Sequence, residues 1–123
     1  MKADARKPLS ILVVEDESLI AMNLEMILED LGHFVIGPVM TLKDLEKILD
    51  GDFRADAAIL DVNIAGEHIF PYARRLADLG VPLLFASGYG ASGIREDLAH
   101  HPVVPKPYTE DEIAGMLDTM LPA

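Results

Sequence analysis

The sequence predicts an α/β domain built on a doubly wound, five-stranded parallel sheet with helices on both faces. Three observations carry that expectation. Short aliphatic runs at residues 9–14, 34–36, 57–60, 81–86 and 102–104 alternate with stretches of helical periodicity. The run at 57–60 (Ala-Ala-Ile-Leu) is apolar at every position, which suits a strand buried on both faces. Five strands alternating with five helices then require right-handed crossovers that cover the sheet on both sides.

Taken in order, residues 9–14 make a first strand rich in β-branched and aliphatic side chains. Glu15-Asp16-Glu17-Ser18 follows, and Ile20, Leu24, Ile27, Leu28 and Leu31 then recur at helical spacing. Gly32 is placed to end that helix in the left-handed conformation. Residues 34–36 form a short second strand, closed by Gly37-Pro38. Thr41 caps a second helix carrying Leu42, Leu45, Ile48 and Leu49, which Gly51 ends. The third strand runs to Asp61. Phe70, Ala73, Leu76, Ala77 and Leu79 mark a third helix, with Pro71 near its start, where a missing N–H is tolerated, and Gly80 as its stop.

The fourth strand, 81–86, ends in Ser87-Gly88-Tyr89-Gly90. Residues 90–101 give a weaker signal. Gly90 and Gly93, with only Ile94 and Leu98 as apolar anchors, predict a short or mobile fourth helix. The fifth strand, 102–104, ends at Pro105-Lys106-Pro107. Thr109 with Glu112 forms a capping box for a last helix bearing Ile113, Met116, Leu117, Met120 and Leu121. No linker, repeat or low-complexity segment interrupts this order. The expected organisation is a tail over residues 1–8 and one domain over 9–121, with no second domain.

Composition narrows the function. The 123 residues carry a formal net charge of −11, and no basic run exceeds Arg74-Arg75, which argues against a nucleic-acid-binding face. Cysteine is absent, so disulfide and thiolate chemistry are excluded, in keeping with a reducing cytosol. The basic start of the chain is followed by an apolar run too short for a signal peptide, and nothing approaches the length of a membrane span. A cytoplasmic domain is expected.

The strand ends carry the chemistry. The first strand delivers Glu15 and Asp16, the third Asp61, the fourth Ser87 and the fifth Lys106. In a parallel sheet all of these emerge at one edge, where open α/β sheets bind ligands. Each has an ordinary explanation alone: a helix cap, a turn residue, a solvated lysine. Together they describe one site. Clustered carboxylates call for a hard cation with oxygen ligands, and Mg²⁺ suits two carboxylates, a carbonyl and several waters. With that cation bound, Asp61 can act as a carboxylate nucleophile and form an acyl phosphate. A lysine and a hydroxyl would hold the remaining phosphoryl oxygens, with small Gly88 leaving the group room.

On these residues the chain resembles, over essentially its full length, the receiver domains of two-component response regulators. The acid pair after the first strand, the Asp closing the third, the hydroxyl closing the fourth and the Lys-Pro closing the fifth are jointly specific. Asp61-Val62-Asn63 with Gly66-Glu67, and Phe85-Ala86-Ser87-Gly88-Tyr89-Gly90, resemble more narrowly the FAT GUY receivers, typically single-domain or stress-pathway regulators of alphaproteobacteria. The resemblance implies a flavodoxin-like sheet of strand order 2-1-3-4-5 and a phosphoacceptor role for Asp61. It implies Mg²⁺ bound directly by Asp16 and Asp61, with Glu15 nearby and Asn63 adding its backbone carbonyl. Ser87 and Lys106 would each take a phosphoryl oxygen. Implied partners are a histidine kinase or histidine phosphotransfer protein and an effector protein, without direct nucleic-acid or membrane contact. The face made by helix four, strand five and helix five would carry dimer or partner contacts.

Three positions depart from the family pattern. Ala65 stands where most receivers have proline, Ser87-Gly88 where most have Thr or Ser followed by Ala, and Val103 at the usual aromatic switch position. Tyr89 is the candidate substitute, and phosphorylation, drawing Ser87 and Lys106 inward, would bias the 90–101 segment, which is otherwise a frayed loop with no switching role. The expected function is therefore a non-enzymatic, phosphorylation-controlled binding module. A phosphate sink or relay is the variant, and a receiver-like scaffold that never accepts phosphate is a third reading. An aspartate-nucleophile phosphatase of the haloacid-dehalogenase type is disfavoured, because Asn63 stands where its second acid belongs. Metal binding by His100-His101 and phosphohistidine roles for His33 or His68 are disfavoured as well.

Overall fold

The computed structural model describes residues 8–88, 94–106 and 108–120. Its elements in chain order are β1 (Ser10–Val14), α1 (Ser18–Asp30), β2 (Phe34–Val39), α2 (Leu42–Asp50), β3 (Ala57–Asp61), β4 (Asn63–Ile64), β5 (Glu67–His68), α3 (Phe70–Asp78), β6 (Leu83–Ser87), β7 (Val103–Pro105) and α4 (Glu110–Met120). The main sheet runs β2-β1-β3-β6-β7 with every neighbouring pair parallel. Leaving out the small β4–β5 hairpin, that is the expected order 2-1-3-4-5.

Alternation along the strands divides the core in two. Ile11 and Val13 of β1 pack with Ala57, Ile59 and Leu84 beneath Leu24, Ile27 and Leu28 of α1 and Ile113 and Leu117 of α4. Leu12 and Val14 face the other way, packing with Ala58, Leu60 and Phe85 against Leu45 and Leu49 of α2 and Ala73 and Leu76 of α3. All five residues of β3 are buried, as its unbroken apolar run requires. The caps also follow the sequence. Thr41 Oγ1 accepts from Asp44 N at 3.1 Å, and Thr109 and Glu112 exchange bonds of 2.9 and 3.2 Å. Gly32 and Gly80 lie at φ +91° and +82° behind their helices.

Four features differ from expectation. First, β2 does not stop at Gly37-Pro38 but continues to Val39. It is an edge strand, so the missing N–H of Pro38 is not needed by a neighbour. Its register against β1 slips between Leu12 and Val14. Gly37 makes the slip at φ +105°, where a Cβ would lie 2.5 Å from Val39 N and 3.0 Å from Val13 O.

Second, β6 begins at Leu83 rather than Val81 and runs through Ser87, while Gly51 ends α2 as expected. Third, the described part of the expected fourth helix holds only a 3₁₀ turn, Glu96–Leu98. Leu98 is its one fully buried anchor, too little apolar surface to hold a longer amphipathic helix. Residues 89–93, with Tyr89, Gly90 and Gly93 on which the switching expectation rested, lie outside the described residues.

Fourth, the chain after β3 folds into the antiparallel β4–β5 hairpin. Ala65 and Gly66 form its two-residue turn at φ +51° and +87°, the positive pair that a type I′ hairpin turn demands. Proline, fixed near φ −65°, does not fit there, which accounts for Ala65 in place of the family's usual residue.

Candidate functional site

The parallel sheet brings the predicted residues to one edge because β1, β3, β6 and β7 all end there. Asp61 closes β3 and pairs in register with Ala86 of β6, one residue before Ser87. Ser87 pairs with Pro105 of β7, and its carbonyl accepts from Lys106 N at 3.2 Å, so backbone bonds fix the serine and the lysine side by side. Glu15 N donates to Val39 O at 3.0 Å, anchoring the acidic pair between β1 and β2. Glu15, Asp61 and Ser87 are all buried.

One ligand oxygen from each of Glu15, Asp16 and Asp61 can be chosen so that all three lie within 4.8 Å of one another. Lys106 reaches into this group, its Nζ 3.0 Å from Glu15 Oε1, 3.3 Å from Asp61 Oδ1 and 3.8 Å from Glu17 Oε1. Asp16 is turned toward the hairpin, where its Oδ2 accepts from Ala65 N at 2.7 Å. The Asn63 side chain is committed to the same turn, accepting from Gly66 N at 2.9 Å.

The electrostatics follow from burial. Glu15, Asp16 and Asp61 set three formal negative charges against the one positive charge of Lys106, before the more distant Glu17 is counted. Burial pushes the Glu15 carboxyl up to about 7; the Lys106 hydrogen bond works against that rise, and the charge of Asp61 adds to it. For Lys106, burial acts downward, but its hydrogen bond to Glu15 and the charge of Asp61 outweigh it and hold the ammonium protonated. A site of hard oxygen donors with uncompensated negative charge fits a divalent cation of the Mg²⁺ type.

These residues line an open cavity of about 950 Å³, with Asp16, Asp61, Asn63, Ser87, Gly88 and Lys106 in its wall. A Cβ at Gly88 would meet no atom within 4 Å, so the resting backbone does not itself demand glycine there. The geometry thus gathers Glu15, Asp16, Asp61, Ser87 and Lys106 as expected, while Tyr89 lies outside the described residues.

Two residues in the site were not anticipated from sequence. Glu17 is the more distant third contact of Lys106. Tyr108 is 7 % exposed and lines the cavity while packing in the core with Val104 and Ile113. Its sequence signal is the hydrophobic staple. Tyr108 precedes the Thr109 cap and meets Ile113, the fourth residue of the last helix.

A solution structure of SdrG from Sphingomonas melonis Fr1 is similar over 94% of this chain and 98% of its own, at 40% identity and a TM-score of 0.76. The chain belongs to the receiver domains of response regulators. SdrG in its BeF3-activated conformation matches at the same identity, with a TM-score of 0.75 over 95% of this chain and all of that one. The phyllosphere-induced regulator PhyR of Methylorubrum extorquens is 30% identical over 116 residues, which are 90% of this chain but 43% of that protein. The response regulator PhyR from Brucella abortus is 26% identical with a TM-score of 0.77, over 93% of this chain and 48% of its own. This chain therefore spans less than half of the PhyR proteins it matches. No family model matches it.

Proposed function

We propose that this domain accepts a phosphoryl group on Asp61 from a histidine kinase or histidine phosphotransfer protein and signals by phosphorylation-dependent protein contact. The observation that carries this reading is Lys106 held between Glu15 and Asp61, beside Ser87, in the lining of an open cavity of about 950 Å³. A carboxylate oxygen of Asp61 attacks phosphorus, the P–N bond of the phosphohistidine breaks, and the imidazole leaves with the bonding electron pair, giving an acyl phosphate. Lys106 places its charge beside the incoming group, and the Ser87 hydroxyl holds a second phosphoryl oxygen. Asp16 and Asp61, with Glu15 and the Asn63 carbonyl, would hold Mg²⁺. The ion supplies charge neutralisation that lets an anionic donor approach anionic Asp61. Residues 9–121 form the phosphorylated unit.

The phosphatase reading gains no support from Asn63, whose side chain is occupied in the hairpin turn. A sink or relay uses the same chemistry and differs only in lacking an effector. PhyR from Bartonella quintana, which shares this fold, is an anti-anti-sigma factor, and a protein effector is the corresponding proposal here.

Intact-protein mass spectrometry after incubation with acetyl phosphate tests the reading. A gain of one phosphoryl that requires Mg²⁺ and is absent from Asp61→Asn is expected. Labelling that survives in Asp61→Asn would overturn the assignment.

A further inference from the structure

Among the described residues, two buried polar atoms lack a hydrogen-bond partner, the Tyr108 hydroxyl and His101 Nε2. They lie beyond opposite ends of β7, and Tyr108 is the one at the site. Its ring is served by packing against Val104 and Ile113, a task that phenylalanine would perform as well. The hydroxyl needs another explanation, because buried polar groups are as a rule bonded. Burial first, and then the charges of Glu15 and Asp61, raise the phenol's ionisation well above its ordinary range, so it keeps its proton and remains a donor.

Glu15 supplies the complementary need. Buried at 2 % exposure, it relies on Lys106 Nζ at 3.0 Å, with a second bond from Glu17 N at 3.1 Å. Lys106 is shared with Asp61 at 3.3 Å. A phosphoryl group on Asp61 adds anionic oxygens that compete for the same ammonium. Glu15 then loses its charged side-chain donor while remaining buried, with Glu17 N its other protein donor.

We propose that Tyr108 is a positioning residue that takes over Glu15 in the phosphorylated state. As Lys106 turns to the phosphoryl group, the Tyr108 hydroxyl donates to the Glu15 carboxylate. This exchange rests on Asp61 being the phosphoacceptor. It makes the phenol useless at rest and needed after phosphorylation, so one substitution acts in opposite directions on the two states.

Tyr108→Phe, which keeps the ring, provides the test. Unphosphorylated, the variant is expected to melt at the same temperature as the parent protein or higher. It is still expected to gain a phosphoryl from acetyl phosphate, yet to bind beryllofluoride, in the presence of Mg²⁺, about tenfold or more weakly, the effect of losing one bond to a charged group. A second readout follows the hydroxyl itself. The chain has three tyrosines and no tryptophan, so Tyr72→Phe with Tyr89→Phe leaves Tyr108 as the sole ultraviolet reporter. Its absorption should shift to the red when beryllofluoride is added.

Beryllofluoride affinity within twofold of the parent, an unchanged Tyr108 spectrum, or a lowered melting temperature of unphosphorylated Tyr108→Phe would each overturn the exchange. Failure of the parent protein itself to take up a phosphoryl group would instead remove the phosphoacceptor reading, and the exchange with it.

Discussion

His101 shows how a single side chain reports on its surroundings. Its ring meets Phe85 edge-on at 6.1 Å and lies 4.0 Å from the ring of His100, with Nε2 buried and unpartnered. Burial, and then the neighbouring imidazole, lower its pKa below 6.5. With the folded pKa below the unfolded one, the unfolded chain takes up the proton first as pH falls. The stability His101 contributes is therefore present above about pH 6.5 and lost on acidification through the lowered value. Melting curves of the parent and His101→Phe between pH 5 and 7 should show a shallower acid decline in the variant. Parallel declines would place the sensitivity elsewhere. The phenol of Tyr108 and the imidazole of His101 share one lesson, that a residue type says little until its partners are known.

The β4–β5 hairpin is the element that most changes the reading of the site. Its turn places the Ala65 N–H on Asp16 and uses the Asn63 side chain internally. Restoring the family's usual proline, Ala65→Pro, would force φ from +51° to near −65° and delete the N–H that Asp16 accepts. We expect a loss of more than about 1 kcal/mol in chemical denaturation, together with weaker Mg²⁺ binding by calorimetry. Unchanged stability would mean that the turn adapts freely. The hairpin was not legible in advance because two-residue strands carry too few side chains for a period to register. The cue that existed was Gly66 with an amide-bearing residue three positions before it. The 3₁₀ turn Glu96–Leu98 was half legible: weak anchoring was evident, but not which of Ile94 and Leu98 would be buried.

At the scale of the whole molecule, a chain of net charge −11 concentrates uncompensated carboxylates at one sheet edge. An ion that binds only the folded arrangement stabilises it by mass action, by about 2.7 kcal/mol when its concentration is a hundred times its dissociation constant. Mg²⁺ should raise the melting temperature by several degrees beyond sodium chloride of equal ionic strength, and Asp16→Asn should remove most of that gain. An equal response to both salts would reduce the effect to general screening.

The sequence by itself determined the sheet, its order of elements and the residues brought to its edge. Buried parallel strands need unbroken apolar runs, and their ends must fall where those runs stop, as at Asp61, Ser87 and Lys106. Only the tertiary structure decided how those ends are used. That Lys106 pairs with both Glu15 and Asp61, that Asp16 bonds the hairpin, and that a buried phenol in the same cavity wall lies unpartnered all depend on distances between residues far apart in the chain. Periodicity records which face a side chain takes, whereas bonding depends on what the opposite element presents to it.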